Sequence, residues 1–204
     1  AYPRFWESIR GNTMRVKTLK SEIDRIYAAY ESAFPGHEAP KICFAIGCLR
    51  TGGTVDDGYL LIGTEIAAAD ASTDKSELDS WLNSVMTEEF DIQNMIAHEY
   101  VHALQELKFS GVWGYLNYRV LMLSIYEGAA DFIAEKVTGA TINEHIYDFG
   151  NAHEQEIWND FKQDMRSNRA DDWLYQGDNA KEGMPADLGY FVGHKICELS
   201  LIHI

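Results

Sequence analysis

The stretch AHEYVHAL, residues 97–104, places two histidines four residues apart, with a glutamate directly after the first. On an α-helix, side chains four residues apart lie on the same face, with about 5–6 Å between their Cβ atoms. His98 and His102 can therefore point at one metal ion, because zinc accepts imidazole nitrogens at about 2.0–2.1 Å. Glu99 lies about 100° further round the helix, where it can act as a general base toward water.

The HExxH pattern needs support from its surroundings, because a chance match in a chain of this length occurs on the order of once in a hundred. Apolar residues recur at helical spacing around it, at Ile92, Ile96, Ala103 and Leu107. This periodicity predicts a helix over residues 89–108 with one face buried. The motif then has the regular backbone that two-histidine metal binding requires.

A third ligand is expected, since catalytic zinc sites commonly use three protein ligands and keep a fourth position open. The sequence YEGAAD, residues 126–131, offers Glu127 on the next long helical pattern, among apolar neighbours. A carboxylate in apolar surroundings needs a partner, which a metal would supply. The alternative is a surface or helix-pairing carboxylate. Gly128 would let this helix approach the motif helix closely, and Asp131, one turn on, is placed to accept the N–H of a ligating histidine.

The remaining patterns predict a mostly helical α+β fold with a small sheet near the N-terminal end. Two apolar runs, residues 41–49 and 59–67, flank the turn-rich sequence RTGGTVDDG and predict a β-hairpin. Helices are expected over residues 14–34, 78–85, 116–137 and 143–166, and from Pro185 onward. The first is expected to end at Pro35-Gly36, the second to have a Ser or Asp N-cap, and the fourth to place His153 in the core. The third is expected to follow a loop at Gly111 and Gly114 and to end at Gly139. Residues 1–204 are predicted to form a single domain, and the apolar end of the last helix at Ile204 is compatible with a fragment of a longer chain.

Composition excludes several partner classes. The chain carries 32 acidic against 17 basic residues, a net charge of −15, which opposes binding to nucleic acid or anionic membranes. No stretch approaches the roughly 18 apolar residues of a membrane span. Cys43, Cys48 and Cys197 match no common zinc spacing and are predicted to be buried free thiols, with one disulfide as the alternative.

The combination of HExxH and a downstream glutamate resembles the gluzincins, zinc peptidases with these ligands on two helices. More closely, the chain resembles a bacterial family of predicted zinc-dependent proteases related to gliding-motility lipoproteins. The resembling segments are GGT, LLIGTEI, IAHEYVHAL, YEGAADF and PADLGYFVGHKI, spread from about residue 41 to 196.

The resemblance implies a zincin-like metallopeptidase fold that binds Zn²⁺. It implies that His98, His102 and Glu127 are the ligands and Glu99 is the general base. It also implies that the strand around residues 60–66 is the sheet edge beside the cleft, along which a peptide substrate runs as an added strand.

Gluzincins stabilise the oxyanion with a Tyr or His from further along the chain, and the resemblance makes Tyr190 and His194 the candidates. The two residues are four apart and share one face of the predicted last helix. Tyr190 is slightly preferred. The alternatives, an aromatic packing residue for Tyr190 and a satisfied polar residue for His194, stay open.

The sequence therefore predicts a zinc-dependent peptidase acting on a peptide or protein. The alternative is a catalytically inactive, peptidase-like zinc-binding interaction module of a bacterial envelope assembly. A hydrolase of non-peptide substrates is also compatible with these residues. The lipoprotein relatives favour an exported or cell-envelope location.

Overall fold

The computed structural model describes residues 2–86, 89–105, 111–140, 142–181 and 183–202. The predicted mostly helical α+β architecture with a small sheet is confirmed. The helices are α1 (Pro3–Arg15), α2 (Lys20–Ala33), α3 (Thr64–Ala67), α4 (Ser80–Val85), α5 (Ile92–Leu104), α6 (Gly111–Thr138), α7 (Glu144–Ala152), α8 (Glu154–Asp164) and α9 (Gly189–Ile202). The strands are β1 (Lys41–Ala45), β2 (Gly53–Asp56) and β3 (Tyr59–Gly63).

Backbone packing divides the chain into two compact units. The first contains Ala1–Leu104 and Ala134–Ile142, and the second contains Gln105–Ile133 and Asn143–Ile204. The expectation of one domain over residues 1–204 stays a prediction. In the part of the chain that the structure describes, no helix has the length and apolar composition needed to cross a membrane.

The sheet of the first unit has the order β1-β3-β2. β1 pairs with β3 in parallel, from Lys41 opposite Tyr59 onward, and β2 pairs with β3 antiparallel. The hairpin predicted between the two apolar runs is therefore wrong, because a strand formed inside the segment assigned as a turn. Asp57 and Gly58 have φ values of 45° and 74°, and two positive φ values suit the two-residue turn that joins antiparallel strands.

The predicted sheet edge at residues 60–66 is also wrong. β3 is the central strand, and its Leu60 and Ile62 are fully buried. The chain then turns into α3, where Ile66 joins an apolar cluster with Phe5 and Ile9 of α1. β2 is an outer strand, and both β2 and β3 pack against α5.

Two helices and a 3-10 turn replace the single helix predicted over residues 14–34. α1 begins with Pro3, whose fixed φ suits a first helical position, and a 3-10 turn at Val16–Thr18 follows it. The Thr18 hydroxyl donates to the Arg15 carbonyl oxygen at 2.8 Å, a local bond that competes with the regular helical pattern. The predicted stop is confirmed, since α2 ends shortly before Pro35-Gly36.

Two of the predicted helix boundaries are confirmed, at the start of α4 and at the end of α6. Asp79 caps α4 as predicted, and its carboxylate accepts the Leu82 N–H at 2.8 Å. Gly139, with φ of 75°, ends α6 as predicted.

The predicted loop at Gly111 and Gly114 is wrong, because α6 already begins at Gly111. A glycine inside a helix costs about 1 kcal/mol relative to alanine, which does not stop a helix. Leu107 of the predicted motif helix lies outside the described residues.

The helix predicted over residues 143–166 is split at His153, which has φ of −125° and separates α7 from α8. His153 is exposed and stacks on Phe149 with ring centroids 4.1 Å apart. The prediction of a core histidine is therefore wrong. The last helix begins at Gly189 and not at Pro185, because Asp187 adopts a left-handed φ of 66°.

Three free cysteines are present, as the sequence predicts, but their predicted burial is wrong for two of them. Cys43 and Cys48 are exposed, and Cys197 is partly buried. Cys43 lies on β1, an outer strand whose side chains alternate between exposed and partly buried positions.

In the second unit, α6 and α9 cross at two glycines. A Cβ at Gly128 would overlap the backbone of Gly193 and His194, and a Cβ at Gly193 would fall on the Ser124 carbonyl group. Gly128 was expected to permit a close approach to the motif helix, whereas the close approach at this glycine is that of α9. An apolar cluster surrounds this packing and includes Val120, Leu123, Trp173, Leu188 and Phe191.

Gly193→Ala is expected to destabilise the protein by at least the roughly 1–3 kcal/mol typical of overpacking, because the added methyl group meets backbone atoms. The measurement is the free energy of unfolding from urea denaturation. Gly11→Ala in α1 is the control: nothing lies within 4 Å of a Cβ there, so a gain of about 0.5–1 kcal/mol is expected. Equal stabilities of the two variants would contradict the close crossing.

Candidate metal centre

The motif helix α5 is fixed by aromatic residues of α2. The Tyr30 hydroxyl donates to the Ala97 carbonyl oxygen at 2.7 Å, and the rings of Tyr30 and Tyr100 stack with centroids 4.2 Å apart. Ile92 and Ile96 are fully buried. The buried side chains and the hydrogen bond to the Ala97 carbonyl oxygen fix the rotation of α5 about its own axis. This rotation determines the direction in which the two histidines point.

His98 and His102 converge as the i, i+4 spacing predicts. Their Nε2 atoms lie 3.0 Å apart, and His98 is 6% exposed. Two nitrogens that bind one tetrahedral zinc ion at about 2.0–2.1 Å lie roughly 3.3–3.4 Å apart. The observed separation is within a few tenths of an ångström of this value, so the imidazole pair fits a zinc ion.

Glu127 is placed by α6 and is 6% exposed. One nitrogen from each of His98 and His102 and one carboxylate oxygen of Glu127 all lie within 4.8 Å of one another. Two imidazoles and a carboxylate form the ligand set of a catalytic zinc site with an open fourth position. The three residues singled out as ligands are therefore close together.

Glu99 is buried at 6% exposure and lies against β2. A Cβ at Gly53 would be 2.5 Å from its Cγ and 2.6 Å from its Oε1. Only a residue without a side chain lets the strand approach the carboxylate this closely. No role was predicted for Gly53 from the sequence, although the GGT segment at residues 52–54 contains it.

Asp131 is 4% exposed and has two polar partners in the second unit. The Tyr147 hydroxyl donates to Asp131 Oδ2 at 2.6 Å, and Asn143 Nδ2 donates to the same oxygen at 3.0 Å. These bonds fix the orientation of the carboxylate. Its expected contact with a ligating histidine stays a prediction.

Tyr190 and His194 both lie on α9. Burial raises the pKa of the Tyr190 hydroxyl well above its usual value, and the negative charge of Glu127 adds to the shift. The His194 ring lies edge-on to Phe132 and Tyr147, with centroids 5.2 and 4.9 Å away.

Tyr175 is a site residue that the sequence analysis missed. Its hydroxyl donates to Glu127 Oε1 at 2.5 Å. Desolvation of this hydroxyl, followed by the Glu127 charge, raises its pKa, although the residue as a whole is 55% exposed. Tyr175 lies between two 3-10 turns, Ala170–Asp172 and Gly177–Asn179, in a polar loop between α8 and α9, and no periodicity or motif marks it.

Comparison with known proteins gives one family. The family model described as "Predicted Zn-dependent protease (DUF2268)" matches residues 64–202. This range contains the histidine motif and Glu127. No curated protein and no solved structure matches the chain.

Proposed function

Because this chain belongs to the family of predicted Zn-dependent proteases, we propose that it is a zinc metallopeptidase of gluzincin type. The convergence of His98, His102 and Glu127 within 4.8 Å is the observation that carries this proposal. His98 and Glu127 are buried. A cation bound by all three side chains would stabilise the buried carboxylate and the neighbouring imidazole nitrogens.

In this proposal the two histidines and Glu127 hold the zinc ion. When bound, zinc supplies Lewis-acid polarisation of the scissile carbonyl and lowers the pKa of a water molecule. Glu99, one position along the same helix as His98, takes a proton from the attacking water. The same carboxyl group then gives the proton to the leaving amine.

We assign the substrate-aligning strand to β2. It is an outer strand of the sheet, and its Gly53 backbone lies against Glu99. An extended peptide that pairs with residues 53–56 as an added strand would run past the general base. This assignment replaces the strand at residues 60–66, which is central.

Tyr190 is our choice for stabilising the oxyanion, with His194 as the second candidate. A protonated phenol donates a hydrogen bond to developing negative charge, and the Tyr190 hydroxyl is near enough to Glu127 for the charge of that carboxylate to act on its pKa. The rings of Phe132 and Tyr147 beside His194 support a packing role for that residue.

Zinc-loaded protein is expected to cleave members of a peptide library, as seen by mass spectrometry of the new termini. A hydroxamate or phosphonate should inhibit the cleavage, because it occupies the open fourth zinc position. Protein treated with a chelator is the control and should be inactive. Stoichiometric zinc with neither cleavage nor inhibitor binding would contradict the peptidase and favour the inactive interaction module.

A further inference from the structure

The contact between Tyr175 and Glu127 joins a loop residue to a metal-ligand candidate. Glu127 is 6% exposed, whereas Tyr175 is 55% exposed. The Tyr175 hydroxyl bonds specifically to Oε1. A donor fixed on one carboxylate oxygen restricts rotation of the group and directs the other oxygen. Such a bond therefore sets the orientation of the carboxylate and leaves its other oxygen available to a cation.

The backbone that carries this hydroxyl is strained. Tyr175 has φ of 58° and Asp187 has φ of 66°, both in the left-handed region that side-chain-bearing residues rarely adopt. A residue in this conformation persists only where its surroundings determine it. The two strained residues lie in the same loop region, before α9.

A reciprocal pair of hydrogen bonds holds these two positions. The Gln176 backbone N–H donates to Asp187 Oδ1 at 2.9 Å, and the Asp187 backbone N–H donates to Gln176 Oε1 at 2.9 Å. Gln176 also donates through Nε2 to the Asp172 carbonyl oxygen at 3.2 Å. Gln176 is 8% exposed, so this clasp is buried and fixes the backbone directly after Tyr175.

We infer that Tyr175 is a positioning residue that orients the Glu127 carboxylate for the metal, and that the Gln176–Asp187 clasp keeps Tyr175 in place. The inference rests on the proposed zinc site. Ligating carboxylates are hydrogen-bonded by outer partners, and loss of such a partner typically weakens metal affinity about 10–100-fold. The clasp explains why a strained backbone is retained at this position.

Tyr175→Phe is expected to weaken zinc binding about 10–100-fold, measured by competition with a chromophoric zinc chelator at fixed pH. The melting temperature of the metal-free protein should stay near the wild-type value, because the ring and its packing remain. Tyr59→Phe on β3, where the side chain is 39% exposed, is the control and should bind zinc as the wild type does.

Gln176→Leu is the second variant, since it removes both side-chain bonds of Gln176, to the Asp187 N–H and to the Asp172 carbonyl oxygen, and keeps the Tyr175 hydroxyl. Weaker zinc binding by this variant supports the inference even if Tyr175→Phe does not fold. Wild-type affinity in either folded variant overturns it. The inference is also overturned if the metal-free variant loses enough stability to account for the whole decrease in zinc affinity. Absence of zinc binding by the wild type overturns the proposed site itself, and this result is separate from a failure of the variants alone.

Discussion

Glu99→Gln is expected to lower peptidase turnover by about 10²–10⁴-fold, the usual contribution of a positioned general base. The amide has nearly the shape of the carboxylate but cannot accept the proton from water. It should preserve the packing against Gly53. His98, His102 and Glu127 are untouched, so zinc content should not change.

The measurement is the initial rate of cleavage of a library-derived peptide, with zinc content determined on the same sample. Glu38→Gln is the matched control, because Glu38 is exposed and the same chemical change there should leave turnover unaltered. Turnover of the Glu99 variant at the wild-type rate would remove Glu99 from the role of base. Loss of zinc from that variant would indicate a different function for the carboxylate.

Glu127→Ala should remove most of the bound zinc after dialysis, measured by inductively coupled plasma mass spectrometry. The effect should exceed the roughly 10–100-fold that loss of an outer-shell partner causes, because a direct ligand is deleted from the set near His98 and His102. The control is Glu135→Ala on the same helix, where Glu135 is exposed and paired with Lys136.

Near-stoichiometric zinc in the wild type and in the Glu135 control, together with loss in the Glu127 variant, would establish the carboxylate as a ligand. Zinc retained in the Glu127 variant would point to another third ligand. If the wild type takes up no zinc when it is supplied, the sequence at residues 97–104 forms only a helix. The peptidase proposal would then fail with it.

Local patterns in the sequence singled out three ligand candidates that lie close together, and their role as ligands stays a prediction. The spacing of His98 and His102 requires only a regular helix, and α5 provides one. Glu127 was singled out because it is a charged residue among apolar neighbours on a second helix, and its side chain is indeed buried. The Asp79 cap and the Gly139 stop are likewise decided by interactions within a few residues.

Strand pairing was predicted less well, because pairing joins distant residues. The apolar runs at residues 41–49 and 59–67 were both correctly expected to contain strands, but they pair in parallel and not as a hairpin. The overlooked signal is Asp57-Gly58, a dipeptide that favours a two-residue turn. Reading that turn would have placed a short strand before it, at residues 53–56.

Tyr175 could not be found from the sequence for a different reason. Its position depends on the left-handed backbone and on Gln176 and Asp187, whose reciprocal bonds link residues 11 apart. Its target, Glu127, is 48 residues away. Neither relation leaves a periodic pattern, and an isolated tyrosine in a polar loop is compatible with many roles.

The left-handed backbone at Tyr175 also constrains protein engineering. Glycine, and to a lesser degree asparagine, adopts a left-handed backbone at low steric cost, so either replacement would relieve the strain. At position 175 neither replacement carries a phenol, so relief of the strain and retention of the Glu127 contact are incompatible aims. Designs that seek thermostability should therefore leave this residue unchanged and look for gains elsewhere, such as the open helical position of Gly11.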